Sequence, residues 1–252
     1  MLETIDHGAV RELRLCRPPV NALDPLLLAA LRAGLAGARA AGREAVVLSG
    51  AAGRFSGGLD VPFLLTLGRD EIRETWKTFF GLMRDLAASP IPTVAALTGH
   101  SPAGGTVLAL FTDYRVLADG PFVMGLNEVQ VGLPVPAPLL RALTYLVGAR
   151  QSERLAVGGL LIGPAEALRC GLVDELAPVE AVVPRAVAWA SELLSRPRAA
   201  MNATRRQARR EIASVFDDMN DRDYDAIVDI WFSSETQATM RALAARLKKS
   251  QS

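Results

Sequence analysis

Twice this chain passes from a short apolar run through a glycine-rich loop towards helical periodicity. AVVLSG at 45–50 leads into AAGRFSGGLD, and TVAALTG at 93–99 leads into HSPAGG and then TVLALF; a third run, VMGL, lies at 123–126. Apolar runs of this length bounded by turn residues read as buried strands. Their alternation with helices predicts an α/β fold built as successive strand–loop–helix turns, although no exact repeat is visible. In such folds ligands sit beyond the carboxyl ends of the strands, where these loops fall.

The other elements fit that frame. Short strands are expected at 2–6 and 9–16, with His7-Gly8 as a turn, and a helix from Asn21 to Ala38 with Asp24 as cap and Pro25 in the first turn. From Asp70, the residues Ile72, Trp76, Phe79, Phe80, Met83 and Leu86 recur at helical spacing, as a core-facing stripe. Helical patterns follow at 137–147, 150–157, 164–169 and 179–194, with LVDEL at 172–176 as a further strand. Arg196-Pro197 marks a boundary between a core of residues 1–195 and a more charged, almost wholly helical region, 196–252.

Composition narrows the function. The 252 residues are 50% hydrophobic and carry a net charge of +1, so no global field points to nucleic acid or an anionic membrane. Cys16 and Cys170 have no metal or redox spacing, which suits a reducing, cytoplasmic compartment. With only His7 and His100, no metal site is expected. MLETIDHGAV lacks the pattern of a signal peptide, and no apolar stretch is long enough to span a membrane. The arginines at 196, 198, 205, 206, 209 and 210 read as a solvated helix face, with contact to the phosphates of a ligand as the functional alternative. Asp113 and Arg115 read as a structural pair near a strand start.

TGHSPAGG resembles the nucleophile elbow of an α/β-hydrolase but fails as one. No histidine follows His100, and the residue after Ser101 is Pro102, which has no N–H for an oxyanion hole. Ala103-Gly104-Gly105 nonetheless precede a helix expected to start near Thr106, and free N–H groups at a helix start favour a negative oxygen. FSGGLD at 55–60 offers a second glycine-rich donor loop. Two such donors would form an oxyanion hole. Beyond both lies GLNEVQVG, in which Glu128 is the only charged residue between Gly120 and Leu140. A lone carboxylate in apolar surroundings is costly, and desolvation should raise its pKa.

Together these motifs resemble the crotonase family of enoyl-CoA hydratases and isomerases: RPPVNAL at 17–23, AVVLSGAAGRFSGGLDV at 45–61, ALTGHSPAGGTVLALFTDYRVLAD at 96–119, GLNEVQVGLP at 125–134 and PAEALRCGLVDEL at 164–176. The resemblance covers nearly the whole chain. It implies a spiral of ββα turns with a C-terminal helical trimerisation region, a homotrimer or dimer of trimers, and acyl-CoA thioester substrates. It places the oxyanion N–H groups at Leu59 and Gly104, the substrate-binding positions at Ser56, Gly57, Leu59, Asp60, Gly104 and Val107, and the catalytic carboxylate at Glu128. No cofactor is implied beyond the CoA of the substrate. Hydratases of the family carry a further Glu where this chain has Val107. The pattern is most like Δ3,Δ2-enoyl-CoA isomerases of mitochondrial type, which serve fatty-acid β-oxidation and use the glutamate of LNE alone. Two alternatives stand: a hydratase-like enzyme drawing a second acid from Asp60, Asp70 or Glu71, and a non-enzymatic CoA-binding assembly protein. Phe63, Leu64, Leu65 and Trp76 are expected around the acyl tail, and Lys248 and Lys249 at the nucleotide end of CoA.

Overall fold

The computed structural model describes residues 1–249, with side chains as far as Leu247. Strands β1 (Leu2–His7) and β2 (Val10–Leu15) form a hairpin and lead to α1 (Pro25–Ala40). Three ββα turns follow. The first holds β3 (Ala45–Ser49), β4 (Gly53–Arg54), α2 (Val61–Leu64) and α3 (Arg69–Ala87). The second holds β5 (Thr93–Leu97), β6 (Gly99–Pro102) and α4 (Gly104–Leu110). The third holds β7 (Tyr114–Ala118), β8 (Met124–Gly125), a 3-10 turn at Glu128–Val131, then α5 (Ala137–Val147), α6 (Ala149–Val157) and α7 (Pro164–Arg169). Strand β9 (Glu175–Ala177) and α8 (Val182–Leu194) close the core, and α9 (Arg198–Ala208), α10 (Arg210–Ala213), α11 (Asp221–Trp231) and α12 (Ser234–Lys249) complete the described chain.

Each turn contributes one strand to each of two sheets. The large sheet runs β1-β2-β3-β5-β7-β9, parallel except for the first hairpin. The small one is β4-β6-β8, all parallel. The central strands β3 and β5 are buried at every position because both faces of the sheet are covered. Val47, Val94, Ala96, Val116 and Ala118 face α8, while Val46, Leu48, Ala95, Leu97 and Leu117 pack into the main core.

Several expectations need correction. The first helix begins at Pro25, not Asn21: Asn21 has φ 52°, outside helical space, and the Asp24 carboxylate accepts the Leu27 N–H at 2.7 Å. His100, Ser101 and Pro102, read as loop, belong with Gly99 to strand β6, and the strand expected at 172–176 lies instead at Glu175–Ala177. Asp113 and Arg115 do not pair with each other: Asp113 binds Arg205, and Arg115 binds Asp174 at 2.8 Å. Arg205 and Arg209 are therefore not solvated. Both fold inward onto the end of the second ββα turn, whereas Arg196 and Arg198 pair at the surface with Glu192 and Glu44.

Candidate active site

The three strands of the small sheet lie side by side, so whatever follows them is brought together. Strand β4 leads to the loop carrying Leu59, β6 to Gly104, and β8 to Glu128. The sheet can be this tight because Gly99 lacks a side chain: a Cβ there would lie 1.9 Å from the Gly53 carbonyl carbon.

The first loop is held by the segment before α1. The Gly57 N–H donates to Val20 O at 2.8 Å, Asn21 Nδ2 donates to Phe55 O at 3.0 Å, and Ser56 Oγ donates to Asn21 O at 2.8 Å. Gly58 turns the chain with φ 88°, a conformation that a side chain would disfavour. A Cβ built there would be 3.2 Å from the Gly104 N, and one on Gly104 would be 3.4 Å from the Leu59 N. The two backbone donors thus approach each other across a gap closed to any side chain. Neither the Leu59 nor the Gly104 N–H donates to a protein acceptor among the described residues. Ala103, just before α4, has φ 47° without being glycine, a strained conformation of the kind that gathers at functional sites.

These groups open onto a cavity of about 300 Å³. Gly57, Leu59, Gly104 and Glu128 lie in its wall, together with Asn127. The remainder is apolar and includes Trp76 and Phe79 of α3, Ile227, Ile230 and Trp231 of α11, and Met240, Leu243 and Leu247 of α12. Among the described residues, Glu128 is the single ionisable side chain in this wall. Its Oε2 is buried without a hydrogen-bond partner among them. Burial raises its pKa to about 7, against a smaller lowering by its own backbone N–H. A carboxyl poised there exchanges protons near neutrality.

The other positions singled out from sequence lie elsewhere. Ser56 is buried beneath the first loop, its Oγ also accepting the Gly58 N–H at 3.2 Å. Asp60 pairs with Arg17 at 2.6 Å and caps α2 through the Phe63 N–H. Val107 is 1% exposed, packed in the core rather than in the cavity wall. Asp70 is exposed, and Glu71 accepts the Gly68 N–H at 2.8 Å at the start of α3; neither lines the cavity. Of the four expected tail-pocket residues only Trp76 lines the wall, and Phe63 points outward. The side chains of Lys248 and Lys249 lie outside the described residues. Sequence reasoning missed the contribution of α11 and α12. Its signal was the apolar spacing of Ile227, Ile230 and Trp231, then Met240, Leu243 and Leu247, in an otherwise charged region.

Residues 6–249 match the family described as enoyl-CoA hydratase/isomerase. The chain belongs to this family. It is 33% identical over 97% of its length, and 82% of the relative's, to the mitochondrial enoyl-CoA delta isomerase 1 of Homo sapiens. It is 36% identical to a probable enoyl-CoA hydratase of Mycobacterium avium, over 75% of this chain and 74% of that one. The crystal structure of human mitochondrial Δ3-Δ2-enoyl-CoA isomerase superposes with a TM-score of 0.94 and 32% identity, covering 100% of this chain and 99% of that one. The fold is accordingly the crotonase spiral of the enoyl-CoA hydratase/isomerase family. Among the described residues, no helix is long and apolar enough to cross a membrane, and no group of His, Cys, Asp and Glu is arranged to hold a metal ion.

Proposed function

We propose that this member of the family is a Δ3,Δ2-enoyl-CoA isomerase with Glu128 as its only proton carrier. The observation that carries this reading is that, among the described residues, Glu128 is the one ionisable side chain in the cavity wall. Hydration of a 2-enoyl thioester needs one group to deprotonate water and a source of a proton for C2. Isomerisation needs one carboxylate. Glu128 removes a proton from C2 of a 3-enoyl-CoA, and the negative charge spreads over the thioester oxygen and C4. The N–H groups of Leu59 and Gly104 hold the oxygen as charge develops. The carboxyl then returns its proton to C4, leaving a trans-2-enoyl-CoA. The apolar wall keeps water from the intermediate and holds the carboxylate as a stronger base than it would be in solvent.

The acyl-CoA thioester is the substrate, and its CoA the only coenzyme the reaction requires. The setting implied is fatty-acid β-oxidation, and the assembly a homotrimer or pair of trimers, which light scattering would size. Purified protein should convert 3-enoyl-CoA to 2-enoyl-CoA without adding water. The likeness to a probable hydratase favours a second reading, in which crotonyl-CoA is hydrated. Hydration faster than isomerisation would replace the first reading by the second.

A further inference from the structure

The helix that presents Gly104 has an unusual far end. Helix α4 is seven residues long and has no side-chain cap at its N-terminus. Beyond its last turn, the carbonyls of Phe111 and Thr112 receive two arginines from outside the helix. Arg209 Nη2 donates to Phe111 O at 2.6 Å and Arg209 Nη1 to Thr112 O at 3.1 Å. Arg115 Nη1 donates to Thr112 O at 3.0 Å. The next residue, Asp113, is gripped through both carboxylate oxygens by Arg205 at 2.7 Å each, while Arg205 Nη1 donates to Ser89 O at 2.6 Å. Asp113 in turn accepts the Thr93 N–H at the start of β5 at 2.7 Å. The Arg205 side chain is 7% exposed and that of Arg209 12%, so these bonds are little weakened by competing water.

We propose that Arg205 and Arg209, from the C-terminal helical region, are positioning residues for the oxyanion hole, fixing the Gly104 N–H by clamping the opposite end of α4. The proposal rests on the reading of Leu59 and Gly104 as the oxyanion donors. A short helix moves as one body. Seven residues span about 10 Å, so a tilt released at Phe111 reaches Gly104 undiminished. Oxyanion donors act only within a few tenths of an ångström of their place. At the other end, Ala103 holds a strained φ of 47°, which a free helix would relax by shifting Gly104. Positive charge beside the last carbonyls also complements the helix dipole whose positive end faces the substrate oxygen.

The test uses two CoA thioesters. Acetoacetyl-CoA ionises to an enolate when an oxyanion hole holds its thioester oxygen, and this is read by ultraviolet absorbance. Butyryl-CoA binds without developing charge. In Arg209→Met the bound enolate fraction should fall roughly tenfold, with butyryl-CoA affinity within about twofold and the loss in turnover falling on kcat rather than KM. Arg209→Lys keeps the charge and reaches one carbonyl, and should lie between the two. Arg206→Met, on the exposed face of α9, should match the unsubstituted protein. Should Arg209→Met fail to fold, the Lys variant must still show the selective enolate loss. An unchanged enolate fraction, or an equal loss of both ligands, overturns the proposal. Unsubstituted protein that binds the enolate yet turns over no 3-enoyl-CoA fails the isomerase reading alone, because the clamp is still judged by the difference between variants. Binding of neither ligand sinks both.

Discussion

Glu128 is a buried acid whose protonation equilibrium sits near neutrality, and two consequences follow with opposite signs. In its proposed role as a base it works only when ionised. kcat/KM for 3-enoyl-CoA should therefore rise with pH and level off above about 7, and Glu128→Gln should lower kcat by roughly 10²–10⁴-fold at pH 8. For stability the direction reverses. The folded-state pKa lies above the unfolded value of 4.5, so between those values the native state binds more protons than the unfolded chain. Stability contributed by the neutral carboxyl is complete below pH 4.5 and is lost as pH rises through 7, by up to ~3 kcal/mol. Glu128→Gln should thus unfold at higher denaturant than the unsubstituted protein at pH 8, and at about the same concentration at pH 4.5. A midpoint difference that does not grow with pH would contradict burial as the cause of the shift. The carboxylate was legible in the sequence because it stood alone among apolar residues. Val107 was legible as a core helix residue, and it packs there; its expected place in the pocket wall is not seen, because one helical position reads the same whether it faces a cavity or a neighbouring side chain.

Among the elements, the small sheet is where sequence was least informative. Strands β4 and β8 have two residues each, too short to show alternation, and β6 reads as part of a glycine-rich loop. The longer strands and amphipathic helices were legible because five buried residues or several helical turns leave a periodic trace. Yet β4, β6 and β8 aim all three site groups. Gly99 is the tightest point, so Gly99→Ala should part β4 from β6. We expect a destabilisation of about 3 kcal/mol or more by urea unfolding, or loss of folded protein in the soluble fraction. A milder version tests the loops. Gly105→Ala would place a Cβ 2.6 Å from Ser56 O, pressing α4 against the first donor loop. It should reduce kcat more than the affinity for butyryl-CoA. A purely proportional loss of both would show that the two loops need not keep their spacing.

At the scale of the whole molecule, the C-terminal helices do more than extend the core. Helix α11 is tied to α3 by Arg73 with Asp221 and Asp225, and by Arg69 with Asp229, outside a contact between Phe80 and Tyr224. Beneath these, Trp231 and Met240 form part of the cavity wall. The sequence led us to expect a charged helical tail beyond a boundary at Arg196-Pro197; it could not show that the tail folds back, because one apolar stripe fits any partner. Replacing Trp231 with Leu should destabilise the protein by roughly 2–4 kcal/mol and move the kcat/KM optimum towards longer 3-enoyl-CoA chains, measured across a chain-length series. An unchanged optimum would mean that the acyl tail runs elsewhere.

That wall also has a history in time. Its first residue is Gly57 and its last described one Leu247, so the residues of the wall are synthesised over most of the length of the chain. The proposed donors and base emerge early, and the final side of the enclosure arrives only with α12. A nascent chain interrupted before that helix would carry all the chemical groups in an open, greasy trough. It would offer chaperones and proteases a recognisable flaw, and water a route to the enolate.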